Sequence, residues 1–332
     1  MSNKKIILSY GLGIIILILA LFFSITYGVK SVGFSDVIKA FTDSNSTDYN
    51  VNIVQARIPR SIFGLMAGAA LSISGVLMQS ITRNPIADPS ILGVNTGASL
   101  FIVIGITFFN IQSKLSYIGL SFAGAVITAL FVYKLASAGY GGPTPIKLAI
   151  AGAATSTALA SFVSLIVMPN SSVMTTYRFW QIGSIGGTSF EDIKLILPII
   201  VIAVIVSLML SDDLNTLLLS EDTATSLGLN VNRTKAIAAL CGVLLCATTT
   251  ALAGPISFVG LMVPHIVRMI IGNDHKHLIS CSGLYGASIL LISDVLGRLL
   301  GRPGELETGI MTAIIGGPIF IIIIRKAKVQ SL

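Results

Sequence analysis

Nine stretches of this chain run for sixteen residues or more without a single Lys, Arg, Asp or Glu. They are 6–29, 61–82, 89–113, 115–133, 148–177, 195–211, 236–267, 278–293 and 308–324. A helix needs about 20 mostly apolar residues to cross a bilayer, and in lipid it must satisfy its own backbone polar groups. Only 11% of the 332 residues are charged, and the mean hydropathy is +0.90. Soluble domains carry about 25% charged residues, so a soluble enzyme or a disordered regulator is excluded. The net charge of +7 does not indicate nucleic acid, because the basic residues sit singly or in small groups between apolar blocks. That distribution fits membrane topology. The fold class expected is an all-α polytopic membrane protein over a single domain, 1–332.

Two blocks are too long for one helix. Gly254-Pro255 divides 236–267 into 236–253 and about 256–270, because proline removes a backbone donor and ends or kinks a helix. Pro169-Asn170 ends the 148–177 block near residue 168. Beyond it, 171–187 reads as a short helix and loop at the membrane surface, with Tyr177, Phe179 and Trp180 as interfacial aromatics. Ten spans result. The run from Ile6 to Val29 is too long for a signal-peptide core and counts as the first of them.

An even number of spans puts both termini on one side. Lys4 and Lys5 at one end and Arg325, Lys326 and Lys328 at the other assign that side to the cytoplasm. The inner loops and termini then hold 12 basic residues and the outer ones 9. The outer pairs Arg57/Arg60 and Arg298/Arg302 sit at helix ends. Arginine suits bidentate carboxylate pairing, so these pairs can serve an external acidic partner. Local pairing with Asp48, Glu305 or Glu307, or with lipid phosphate, accounts for them equally well.

The absences restrict function. There is no Walker A phosphate loop, no H-E-x-x-H and no G-x-S-x-G, and therefore no catalytic residue and no ATP site in this chain. Cys241, Cys246 and Cys281 read as buried thiols. Asp274-His275-Lys276-His277 places two histidines two apart, which do not converge on a helix, so no metal site is assigned. The run reads as a solvated turn. No carboxylate lies mid-span, whereas a proton- or sodium-driven carrier needs such a relay. A pore-forming subunit powered by another chain fits better than a stand-alone secondary carrier. The pairs Gly64/Gly68, Gly93/Gly97 and Gly297/Gly301 have the small-xxx-small spacing of close helix packing.

The longest inner polar stretch is 211–235. Ser220 can cap a short helix with Glu221 and Asp222 in its first turn and Gly228 as its stop. Leu217, Leu218, Ala224 and Leu227 would form its apolar face, and Asn230–Lys235 a second short element. Such a helix can dock in a partner's groove, or be a plain connector.

Four segments carry a family likeness. The first runs from Ala56-Arg-Ile-Pro-Arg-Ser through Gln79 to Arg83-Asn-Pro-Ile-Ala-Asp-Pro-Ser-Ile-Leu-Gly93 and Ala98. The others are Ala253-Gly-Pro-Ile-Ser-Phe-Val-Gly-Leu-Met-Val-Pro-His-Ile-Val-Arg268, Gly304-Glu-Leu-Glu-Thr-Gly309 and Gly316-Gly-Pro-Ile-Phe320. Together they resemble, over nearly the whole chain, the FecCD permeases of type II ABC importers for ferric siderophores, haem and cobalamin. The resemblance implies ten helices, a second permease subunit (the same or a related chain), two ATP-binding subunits and an extracytoplasmic substrate-binding protein. It also implies membrane lipid as surroundings and no nucleic-acid partner. ATP and magnesium would belong to the ATPase, with no cofactor on this chain. The implied cargo is an iron(III)–siderophore, or alternatively haem or cobalamin. By the resemblance, Ser220, Glu221, Ala224, Leu227 and Gly228 belong to the helix that couples to the ATPase. Arg57, Arg60 and Arg298 would dock the binding protein, with Arg302 a neighbouring candidate. Asn84-Pro85-Ile86 and Pro145-Ile146 would form the inner gate, and Ser156, Thr157 and Ser161 would line the path.

Overall fold

Each of the ten expected blocks carries a helix in a computed structural model of the protein, which describes residues 3–42, 48–85, 87–138 and 144–326. No strand occurs among the described residues. Seven helices are long and apolar enough to span: α1 (Asn3–Thr26), α3 (Tyr49–Thr82), α5 (Lys114–Ser137), α6 (Pro145–Val167), α8 (Phe190–Met209), α11 (Val231–Ala253) and α13 (His275–Leu300). Three more are shorter: α4 (Val94–Phe109), α12 (Val259–Ile271) and α14 (Thr308–Lys326). Between them lie the short helices α2 (Phe34–Thr42), α7 (Ser171–Ile182), α9 (Ser211–Leu217) and α10 (Glu221–Ser226). The sequence reading does not contain α2, whose Val37 and Ala40 pack against Val51 and Val54 of α3.

Polar residues at the boundaries fix where the helices start. Asp48 accepts from the N–H of Asn50 at 2.9 Å and lets α3 begin at Tyr49, well before residue 61. Arg57 and Arg60 therefore lie within the helix, and Pro59 is held inside it. Thr144 caps α6, and Pro145 takes the first helical position, where its missing N–H costs nothing. Asn230 caps α11 through Arg233 N–H at 3.0 Å, so the expected second element at 230–235 is the first turn of α11 itself. Asp274 caps α13, which continues to Leu300. His275 consequently lies 1% exposed in the first turn of a helix, and not in a solvated turn. At 89–113 the span is shorter than expected, because a 3-10 turn, Pro89–Leu92, ends on Gly93 at φ 73° before α4 starts.

The helices are arranged around α3. Within its apolar window 78% is buried inside the chain, against 17% for α1, whose Leu8, Ile15 and Ile18 face outward. A helix that is apolar all round belongs in an interior, and α3 packs against α1, α8, α11, α12 and α13. Without a hydrophobic drive between helices in lipid, close backbone approach supplies the packing. A methyl group on Gly75 would overlap the carbonyl oxygen of Gly260 on α12, and one on Gly68 that of Gly286 on α13. The three cysteines are buried and unpaired, as expected.

Candidate functional site

The expected site residues fall at two ends of the helix bundle. At one end, two of the arginines converge on Asp294, an acid outside the sequence-based expectations. Asp294 sits in α13, 1% exposed, and accepts from Arg60 Nη2 at 2.7 Å, Arg60 Nε at 3.1 Å and the Thr308 hydroxyl at 3.0 Å. Arg298, one turn further along α13, lies 2.9 Å from its second oxygen. Arg60 also donates to Glu305 at 2.7 Å, and that carboxylate is partly exposed. Two cations on one buried carboxylate, with a hydroxyl donor, neutralise its charge, while its second oxygen and Arg298 Nε have no hydrogen-bond partner among the described residues.

The remaining arginines of this end hold carbonyls of the α1 end. Arg57 is buried and donates to the carbonyls of Ile25 and Thr26 at 3.1 Å and of Lys30 at 2.7 Å. Arg298 donates to Ser24, at its carbonyl (3.0 Å) and its hydroxyl (3.1 Å). Arg302 donates to the carbonyl of Gly28. Those of Ser24, Ile25 and Thr26 belong to the last turn of α1, where carbonyls lack intrahelical donors, and a guanidinium fork suits them; those of Gly28 and Lys30 lie in the chain that follows. Arg57, Arg60 and Arg298 all line a recess shared with Lys30, Tyr49 and Glu305, in which Arg57 and Arg298 are buried and Glu305 is more exposed than any of the three. Of the three local acids considered, Asp48, Glu305 and Glu307, Glu305 pairs with Arg60, and Asp294 is a further partner outside that set. Its signal was visible: Asp294 and Arg298 are one helical turn apart, the spacing of an ion pair. An apolar block that stopped at residue 293 hid it.

At the other end, the short helices of 211–228 are built as the sequence suggests in some respects and differently in others. Ser220 accepts from Thr223 N–H at 2.9 Å and opens α10, with Glu221 and Asp222 in its first turn. Gly228, at φ 88°, closes it with N–H bonds to Thr225 O at 2.9 Å and from Leu229 to Ala224 O at 3.0 Å. The four apolar residues do not form one face. Leu217 and Ala224 are buried against the bundle, whereas Leu218, Leu219 and Leu227 point outward, Leu227 being 67% exposed. The reason is that both helices are short: Leu217 and Ala224 lie within them, whereas Leu218 and Leu227 are their C-caps, where the chain leaves the helix. Glu221 meets Lys235 of α11 at 2.6 Å, and Asp213 accepts from Thr234 at 3.1 Å. Asp274 receives the Asn215 amide at 2.9 Å, which holds its carboxyl below the usual carboxylate range.

Of the gate residues, Asn84 and Pro85 follow α3 in an exposed turn after Arg83 at φ 50°, and Ile86 lies outside the described residues. Pro145 and Ile146 are the first turn of α6, with Ile146 exposed. On that helix Thr157 and Ser161 are exposed and Ser156 half-buried. A cavity borders the same region, with Asn95, Ser99, Ser164, Tyr177, Gln181 and Ser257 among its walls. Among the described residues no group of three or more His, Cys, Asp or Glu could hold a metal ion.

Comparison with known proteins matches residues 16–326 to the FecCD transport family. The chain is 40% identical over 314 residues to the ferric enterobactin transport system permease protein FepD of Escherichia coli (strain K12), covering 94% of this chain and 93% of that one. It is 37% identical over 327 residues to the Fe(3+)-citrate import system permease protein YfmD of Bacillus subtilis (strain 168), covering 98% and 97%. Its fold superposes with a TM-score of 0.83 and 27% identity on a metal-chelate type ABC transporter solved in an inward-facing conformation, covering 98% of this chain and 100% of that one.

Proposed function

Because this chain belongs to the FecCD transport family, we propose that it carries an iron(III)–siderophore chelate into the cytoplasm, as the permease subunit of an ATP-driven importer. It is a multi-pass membrane protein and a transport subunit, with the type II ABC importer permease fold; ATP hydrolysis belongs to a separate chain. The observation that carries the cargo is the nearly full-length likeness to permeases of ferric enterobactin and ferric citrate systems.

In the working assembly, a second permease covers the small-residue face of α6, with the path between the two subunits along Ser156, Thr157 and Ser161. A binding protein delivers the chelate to the arginine end, which faces outward, and both termini are cytoplasmic. Arg60 in the recess makes the contact with acidic side chains of that protein, while Arg298 shares Asp294 with it and Arg57 ties down the chain after α1. Two ATP-binding subunits, loaded with ATP and magnesium, receive the segment Ser220–Gly228, and the exposed Leu219 and Leu227 are the side chains available to fill their groove. Closure of the ATPase pair displaces this segment and alternates the gate at Asn84–Ile86 and Pro145-Ile146.

The test is radiolabelled uptake by proteoliposomes holding the chain with its ATPase and binding protein. Ferric enterobactin, ferric citrate and a ferric hydroxamate are compared with haem and cobalamin. Uptake of at least one ferric chelate that requires ATP is expected. Uptake of only haem or cobalamin would reassign the cargo. Uptake by the chain alone, without ATPase, would make it a secondary carrier.

A further inference from the structure

The inner and outer ends of the molecule share one rigid element. Arg60 and Ser80 both lie on α3, and their separation along the helix is about 30 Å, the thickness of the hydrocarbon core. α3 packs along α13, and the two helices are fastened to each other at both ends. The outer fastening is Arg60 to Asp294. The inner one is a buried histidine: His275 Nε2 lies 2.6 Å from the Ser80 hydroxyl, and its Nδ1 lies 2.9 Å from Asn215 Oδ1. Asn215 belongs to α9, in the segment that leads into α10.

The protons of this bridge follow from its neighbours. The Asn215 amide nitrogen donates to Asp274 at 2.9 Å, which turns its oxygen towards His275, where it accepts the backbone N–H at 2.8 Å. Nδ1 must therefore carry a proton to face that oxygen. A neutral ring then leaves Nε2 as an acceptor, and the Ser80 hydroxyl shares its one proton between Nε2 at 2.6 Å and the Val76 carbonyl at 2.7 Å. Every polar atom of the ring has a partner, and the ring is closed off from water. A second tie, from Arg83 to the Leu217 carbonyl at 2.8 Å, reaches the same segment through a long and exposed side chain. The imidazole is short, planar and enclosed, and transmits displacement where the arginine can flex.

We propose that His275 is a positioning residue for energy transfer, locking Asn215 of the coupling segment to Ser80 at the inner end of α3, so that movement of 211–228 is delivered to the α3–α13 pair. The proposal rests on the reading that this segment meets the ATPase. It assigns to His275 no contact with nucleotide or chelate.

The experiment measures ATP hydrolysis and iron uptake together, in the complete reconstituted complex supplied with ferric enterobactin, ferric citrate or a ferric hydroxamate. His275→Leu and Ser80→Ala should hydrolyse ATP near the wild-type rate yet import about tenfold less iron per ATP, the size expected when a buried hydrogen-bonded link is lost. Ser80→Thr, which keeps the hydroxyl, should restore the wild-type ratio. Ser80→Ala removes one atom only and carries the test if His275→Leu fails to fold. A wild-type ratio in Ser80→Ala, or a parallel fall in hydrolysis and uptake, would overturn the proposal. Leu227→Asp separates the two readings. If it abolishes ATPase association while Ser80→Ala stays fully coupled, the docking of the segment stands and the bridge is wrong. If Leu227→Asp binds and couples normally, the underlying reading of the segment fails first.

Discussion

The arginine end and the coupling end use charged and polar residues in opposite ways. At the arginine end Arg57, Arg298 and Asp294 are enclosed, and their hydrogen bonds go to backbone carbonyls or to one another. At the coupling end the polar bonds are local caps and single ties, and the apolar side chains Leu218, Leu219 and Leu227 face outward with nothing from the chain over them. The first arrangement stabilises the subunit. The second leaves surface available to another chain. Most of the charge at the arginine end is therefore engaged within the subunit, whereas the leucines of the coupling end are exposed beside a well-capped short helix.

The sharpest way to break this comparison is at Asp294. Asp294→Ala leaves the buried Arg298 with no carboxylate and Arg60 with Glu305 alone, and should cost about 3–5 kcal/mol, because an unpaired buried charge is far more expensive than an absent one. Thermal unfolding of the purified protein should show it, and an unchanged midpoint would mean that the cluster is solvated. Next comes Leu227→Asp, expected to weaken ATPase association by about 2 kcal/mol or more, the cost of losing a central interface anchor. Co-purification and titration measure this, while the unfolding midpoint should not move. Ser220→Ala should cost about 1 kcal/mol through the lost cap, read as a severalfold weaker association with the ATPase. The smallest effect is expected from Glu305→Gln. Its carboxylate is 39% exposed, so stability should change by less than about 1 kcal/mol, and less again in high salt. A large loss there would move Glu305 from the accessible side of the cluster to its interior.

Much of the fold is legible before any coordinates, because apolar run length and proline punctuation are local signals. The ten blocks, the break at Gly254-Pro255 and the stop at Pro169-Asn170 all have counterparts in helix ends. Boundaries were harder. Counting charges ended spans at Arg60 and Asp294, yet α3 starts at Tyr49 and α13 runs to Leu300, since buried partners let a helix carry charge. For the coupling segment, the caps at Ser220 and Gly228 are readable, but the outward turn of Leu227 is not, because α10 ends at Ser226 and leaves Leu227 as its C-cap.

The amino-acid order alone determined that this chain crosses a bilayer many times, where proline interrupts its apolar blocks, and that it holds no phosphate loop. Those outcomes follow from hydrophobic length, proline geometry and residue chemistry within one segment. Only the tertiary structure decided that α3 lies at the centre, that Asp294 gathers Arg60 and Arg298, and that His275 joins Ser80 to Asn215. These contacts pair residues up to 234 positions apart in the chain, as in Arg60 with Asp294, and no local pattern records which distant carbonyl or carboxylate will lie within 3 Å.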